Sequence, residues 1–164
     1  MDDFEFDIRY SSMEDGEHML RWLTDPQDLE WYPFFTLEET QGAVKNWIGF
    51  SKYQASLTAT VENKPCGVIT LYLMPYRKVA HHSMFYVVVE KKYRKKGIGF
   101  SLIKNIMNLA KNTFLLDSVN CEVYEGCALI PILKKMDFQL FAKQEDYVKE
   151  QSGYKSRLLY GCFL

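Results

Sequence analysis

Val87-Val88-Val89-Glu90-Lys91-Lys92-Tyr93-Arg94-Lys95-Lys96-Gly97-Ile98-Gly99-Phe100-Ser101 sets the architecture of this chain. A β-branched run leads into a basic loop, and the loop closes on two glycines that open an amphipathic helix. Glycine lets backbone N–H groups approach an anion closely. The first turn of a helix adds donors with no intrahelical partner and a partial positive charge. Arg94, Lys95 and Lys96 add full charges. This combination suits a pyrophosphate, with the amides from Arg94 through Gly99 as donors. A solvated turn that caps the helix is the plainer alternative. A dinucleotide fingerprint fits worse, because Leu102 stands where its third glycine belongs, and a Walker loop fits worse still, because no Gly-Lys-Ser/Thr follows.

The elements on either side follow from periodicity and punctuation. Alternation from Phe4 to Tyr10 predicts a first strand, and Ser12-Met13-Glu14-Asp15 a helix start whose stripe is Met19, Leu20 and Leu23. Asp25-Pro26 ends that helix. Leu29, Trp31, Tyr32, Phe34 and Phe35 then surround Pro33 in an aromatic loop, a packed connection or a pocket wall. Thr36 and Glu39 fit a capping box for a helix through Val44, Trp47 and Ile48. Strands are expected at 55–62, 66–72 and 80–90, with a turn at Asn63-Lys64-Pro65 and a break at Met74-Pro75. The helix after the basic loop carries Phe100, Ile103, Ile106, Met107 and Ala110 on one face. A strand at 118–124, a helix at 127–136 and strands at 138–148 and 154–163 complete the chain. Three strands in a row between helices argue for a mixed sheet with helices on both faces.

Bulk properties narrow the function. At 164 residues the expectation is one domain over 1–164. Hydrophobic residues at 48% and charged ones at 25% describe an ordinary globular chain. A formal net charge of −1 gives no general drive toward nucleic acid or anionic membrane, so the basic run 91–96 is a local feature. Cys66, Cys121, Cys127 and Cys162 lack zinc-site spacing and read as buried, reduced thiols. The start Met1-Asp2-Asp3-Phe4-Glu5 has no apolar leader, and no apolar run is long enough to span a bilayer; a soluble cytoplasmic protein is expected.

The order strand, two helices, three strands, helix, strand, helix, two strands, with Arg94-x-x-Gly97-x-Gly99, resembles the GNAT N-acetyltransferase superfamily. A second stretch, Ala128-Leu129-Ile130-Pro131-Ile132-Leu133-Lys134-Lys135-Met136-Asp137-Phe138, is similar to the family's helix after the fifth strand, Ala-Leu-x-Pro-Phe-Tyr-x-x-x-Gly-Phe. Residues 19–26 look like the N-terminal helix of the branch that holds ribosomal-protein N-terminal acetyltransferases and some aminoglycoside acetyltransferases. The resemblance implies an α+β fold with a central mixed, mostly antiparallel twisted sheet of about seven strands and about four flanking helices. It implies acetyl-CoA as cosubstrate and a primary amine as acceptor, with no metal, no nucleic acid and no membrane, in a monomer or homodimer. Val87, Val88 and Val89 would offer backbone groups to the pantetheine arm, and Arg94, Lys95, Lys96, Gly97, Ile98, Gly99, Phe100 and Ser101 would hold the pyrophosphate. A backbone N–H near Val88 or Val89 would stabilise the oxyanion.

Two positions depart from the family pattern. Its tyrosine, which often protonates the departing thiolate, falls on Leu133, and its glycine on Asp137. The first departure makes a non-catalytic CoA-binding module the alternative. Candidates for proton handling are His82, beside His81, as an imidazole base or a strand-end surface residue; Glu122, as a base acting directly or through water; and Tyr124, as a donor to the thiolate in place of the missing tyrosine. Asn120, Glu122 and Tyr124 alternate on one strand face that also reads as plain polar surface, and Glu90 reads as a charge partner for the lysines beside it.

Overall fold

The computed structural model describes residues 4–164, so Met1–Asp3 of the acidic start lie outside the described residues. Seven strands form one sheet in the order β1-β2-β3-β4-β5-β7-β6. They are β1 (Asp7–Tyr10), β2 (Ser56–Val61), β3 (Lys64–Leu73), β4 (His82–Val89), β5 (Ser118–Tyr124), β6 (Gln139–Glu150) and β7 (Gly153–Phe163). Neighbouring strands are antiparallel except β4 and β5, which run parallel. The α-helices are α1 (Asp15–Trp22), α2 (Pro26–Leu29), α3 (Leu37–Gly49), α4 (Ile98–Asn112) and α5 (Ile130–Lys135). Among the described residues no helix is long and apolar enough to cross a membrane.

The helices cover both faces of the sheet. Strand alternation sends Ile69, Leu71, Phe85, Val119, Cys121 and Val123 toward α4, where they meet Ile98, Leu102, Ile103, Ile106 and Ala110. Val68 and Val88 face the other way, onto Met19, Leu23, Val44, Trp47 and Ile48 of α1, its C-terminal turn and α3. Fully burying one such side chain contributes about 1.5–3 kcal/mol, so these two layers outweigh any surface ion pair.

Several local expectations change. Asp25-Pro26 ends α1 and also starts α2: the Asp25 side chain accepts from the Gln27 N–H at 2.9 Å, and proline suits the first turn. The aromatic stretch therefore begins with a helical turn. In α4 the buried positions are Ile98, Leu102, Ile103, Ile106, Leu109 and Ala110. Phe100 is instead half-buried, with the Lys135 ammonium 5.1 Å from its ring centre. The capping box at Thr36 is present, with Glu39 N–H donating to the threonine hydroxyl at 3.1 Å and Thr36 N–H donating to Glu39 at 2.9 Å. Asp137 stands at φ 63°, the left-handed conformation that the family's glycine would take.

A buried polar network fixes α1 to the sheet. Asp15, 3% exposed, accepts from Arg9 at 2.8 and 2.9 Å, from the Ser12 N–H at 2.9 Å and from the Thr58 hydroxyl at 2.8 Å. Burial opposes its charge, but the bonds from Arg9, Ser12 and Thr58 prevail and hold its carboxyl below the ordinary range. Asp15→Ala should cost about 3 kcal/mol by leaving Thr58 and Ser12 unpaired, measured by denaturant unfolding. Because the folded value is depressed, the wild-type stabilisation is complete above the unfolded value near pH 4 and fades as pH falls through the folded one. The cost of Asp15→Ala should shrink over the same interval. A constant cost from pH 7 to pH 2 would contradict this assignment.

Candidate active site

The ladder between β4 and β5 runs only from His82↔Ser118 to Phe85↔Cys121. Both strands continue, β4 to Val89 and β5 to Tyr124, so their last residues splay apart. Backbone groups along such a gap have lost their partner. Parity decides which ones. The Glu90 N–H donates to the Cys66 carbonyl at 2.8 Å, so in the antiparallel register Val88 and Glu90 direct their backbone groups to β3. Val87 and Val89 therefore face the gap. Of the three valines, Val88 has its backbone groups taken up by β3, while those of Val87 and Val89 are turned to the gap.

Two side chains already bond to this open edge. Tyr32 donates its hydroxyl proton to the Val87 carbonyl at 3.2 Å, and Arg94 Nε donates to the Val89 carbonyl at 2.9 Å. The guanidinium also bonds Asp28 at 2.8 Å, and the Arg94 N–H goes to the Lys91 carbonyl at 3.3 Å. Nε, Nη2 and the backbone N–H of Arg94 thus all have partners within the protein.

The rest of the loop is open. Lys95 and Gly97 lie in left-handed conformations, φ 61° and 84°, and no side chain caps α4. The first bond into the helix is Ser101 N–H to the Gly97 carbonyl, at 3.0 Å. Among the described residues, the N–H groups of Ile98, Gly99 and Phe100 therefore precede any intrahelical partner. Ile98 contributes only backbone, since its side chain is buried in the core. The Lys96 ammonium sits 4.4 Å from the Phe4 ring centre. Glu90 pairs with Lys92 at 3.3 Å.

A cavity of about 460 Å³ fills the splay, a volume typical of small-ligand sites. Arg94, Lys95 and Gly99 line its loop end, and Cys127, Leu129 and Ile132 its α5 side. Trp31, Tyr32 and Pro33 form the opposite wall, so the aromatic stretch is in part a pocket wall. Phe34 is core and Phe35 is exposed. Leu133 is fully buried and offers the cavity nothing.

The proton-handling candidates separate here. Glu122 and Tyr124 line the cavity, together with Tyr86. Glu122 accepts from Arg157 at 2.8 and 2.5 Å, both through Oε2. The Tyr124 hydroxyl is buried with no hydrogen-bond partner among the described residues. Burial, then the Glu122 charge, pushes its pKa up, so it keeps its proton at every physiological pH. His82 opens β4 at the far end from the loop and does not line the cavity. The pocket alone does not bring it to the chemistry. What sequence reasoning missed is the bond from the Tyr32 hydroxyl to the strand edge, because that contact to Val87 spans 55 positions.

Comparison with known proteins identifies a family. The acetyltransferase (GNAT) family model matches residues 17–129. Among solved structures, an acetyltransferase of the GNAT family from Streptococcus pneumoniae is similar at 20% identity, covering 98% of this chain and 100% of that one, with a TM-score of 0.77. A ribosomal-protein-alanine N-acetyltransferase from Brucella melitensis is similar at 18% identity, covering 96% and 99%, with a TM-score of 0.78. The yncA protein of Salmonella typhimurium, solved with its cofactor acetyl-CoA, is similar at 11% identity, covering 97% and 94%, with a TM-score of 0.78. No curated protein matches the chain in sequence.

An unpartnered buried hydroxyl predicts an unusual stability result. Removing a hydrogen-bonded tyrosine hydroxyl costs about 1 kcal/mol, whereas removing an unpaired one costs nothing or stabilises. Tyr124→Phe should therefore leave the thermal midpoint of the ligand-free protein unchanged or raised. A drop equivalent to about 1 kcal/mol would show that the hydroxyl has a partner after all.

Proposed function

The chain belongs to the GNAT acetyltransferase family, and from that membership we propose that it moves an acetyl group from acetyl-CoA to a primary amine by direct attack on the thioester. The observation that carries this reading is the splay between β4 and β5, with the uncapped start of α4 at one end and the Tyr124 hydroxyl inside. Acetyl-CoA supplies an activated acyl group on a fair leaving group, a thiol of pKa about 8.5. The amides of Lys95 through Phe100 would hold the diphosphate, and the open edge at Val87 and Val89 would take the pantetheine arm. The acceptor amine, on a protein N-terminus, a lysine or a small molecule, would enter past Trp31, Tyr32 and Tyr86.

Each polar group then has a chemical task. Both carboxylates lining the cavity pair with an arginine, Asp28 with Arg94 and Glu122 with Arg157; Glu122 takes both of its bonds on Oε2, and its Oε1 would receive the ammonium proton, directly or through water. The N–H of Val87 or Val89 would stabilise the oxyanion formed on attack. Tyr124 would donate a hydrogen bond to the departing sulfur. Its proton stays on oxygen in the ground state, since a raised phenol is a weaker acid than a thiol. Its contribution is charge stabilisation, the part of the family's tyrosine that Leu133 cannot play. Holding the amine in line with the thioester supplies much of the remaining acceleration.

The alternative is a module that binds CoA without turnover, which the fully buried Leu133 favours. Release of free thiol with a panel of primary amines separates the two, and burst-free silence with every amine would support the module. Calorimetric titration should give measurable CoA binding, and no heat at millimolar ligand would contradict the transferase reading. Gly97 sits at φ 84°, so Gly97→Val should weaken CoA about 5- to 30-fold, matching the roughly 1–2 kcal/mol strain of a left-handed side chain. Tyr124→Phe should lower kcat about 10- to 100-fold with CoA affinity unchanged, the size of one hydrogen bond to a charged group. Unchanged kcat would remove Tyr124 from the mechanism.

A further inference from the structure

Arg94 begins the loop that this reading gives to the CoA diphosphate, yet its guanidinium turns away from the loop's open amides. Nη2 bonds Asp28 Oδ2 at 2.8 Å and Nε bonds the Val89 carbonyl at 2.9 Å. The Asp28 side chain is 5% exposed, and Arg94 provides its only ion pair among the described residues. Releasing Arg94 toward a phosphate would leave that carboxylate buried and unpaired, which is the expensive way to break a buried pair. The neighbouring contacts run in the same direction. Lys91 bonds Gln27 and lies 3.9 Å from Asp25, so the basic loop is tied to α2 at two further points. Asp25 is the residue that caps α2, and Trp31 and Tyr32 of the cavity wall follow that helix directly.

We infer that Arg94 is a positioning residue: clamped by Asp28, it fixes how the chain leaves β4, so that the amides of Lys95 through Phe100 converge on the diphosphate while Arg94 makes no contact with it. The clamp also joins the cofactor loop to the wall that carries Trp31 and Tyr32. This rests on the proposed CoA site, since a loop with another ligand would need another account. Its signature is one of sign. A guanidinium that bound phosphate would be freed by neutralising Asp28, and CoA would bind more tightly. A guanidinium that positions the loop loses its hold, and CoA binds more weakly.

The experiment titrates CoA into wild type, Asp28→Asn, Arg94→Gln and the double variant, at several salt concentrations. Asp28→Asn and Arg94→Gln should each weaken binding about 10-fold, and the double variant should be no weaker than either alone, because the pair acts as one unit. The salt dependence should match wild type, as no phosphate contact is lost, and kcat at saturating CoA should stay within about twofold. Tighter binding by Asp28→Asn, or additive losses with a flatter salt dependence, would overturn the positioning role and leave the CoA site standing. A wild-type protein that binds no CoA would remove the site itself. Should Asp28→Asn not fold, Arg94→Lys decides: lysine keeps the charge but not the two-point hold. It should bind as weakly as Arg94→Gln, and binding near wild type would contradict the inference.

Discussion

Between Phe85 and Val89 the backbone of β4 loses its neighbour, because the parallel ladder to β5 ends at Phe85 and Cys121 while both strands run on. Strand edges in the middle of a sheet are costly, since buried N–H and C=O groups need partners. Here the carbonyls of Val87 and Val89 take theirs from Tyr32 and Arg94, groups that come from outside the sheet. Residues from two parts of the chain line the gap. Leu129 and Ile132 line it beside α5, and Trp31, Tyr32 and Pro33 line it from the stretch after α2. The rest of the site depends on this opening, because it gives a ligand two walls and a backbone edge to pair with.

The same opening explains the division of charge. At one end lie the uncapped amides of α4, with Lys95 and Gly97 in left-handed conformations that turn the chain toward them. Their partial charges suit a diphosphate. The polar side chains that β5 adds to the cavity are few: Glu122, bonded by Arg157, and Tyr124, whose hydroxyl has no partner among the described residues. A cavity whose lining is otherwise largely apolar and aromatic strengthens any charge interaction formed inside it. Tyr124 is costly to leave unpaired, and such a group in a native fold calls for an explanation in function. A sulfur that gains negative charge during reaction provides one.

Much of this was legible in the residues. The loop from Arg94 to Gly99, the capping box at Thr36 and the strand from Ser118 to Tyr124 carry local signals strong enough to place them without tertiary information. The alternation of Glu122 and Tyr124 on one strand face correctly put them on a common side. What was hidden depends on contacts distant in sequence. Arg94 reads as one more charge of a basic loop, and its bond to Asp28, 66 positions away, leaves no local trace in the sequence. Tyr32 reads as one aromatic among many until its hydroxyl meets Val87. His82 looked apt because imidazole titrates near neutrality, but the register of β4 carries it away from the gap. Phe100 looked like core because helix faces blur at a helix start, where the first turn is not yet enclosed by neighbours.

The central claim is that backbone amides at the splay and at the start of α4 receive CoA. Amide hydrogen exchange, resolved by residue and followed with and without saturating CoA, tests it most directly. The account predicts slowed exchange at Ile98, Gly99 and Phe100 and at Val87 or Val89, with Val88 unchanged because its N–H already faces β3. Protection confined to another surface, with these amides exchanging as in the free protein, would contradict it.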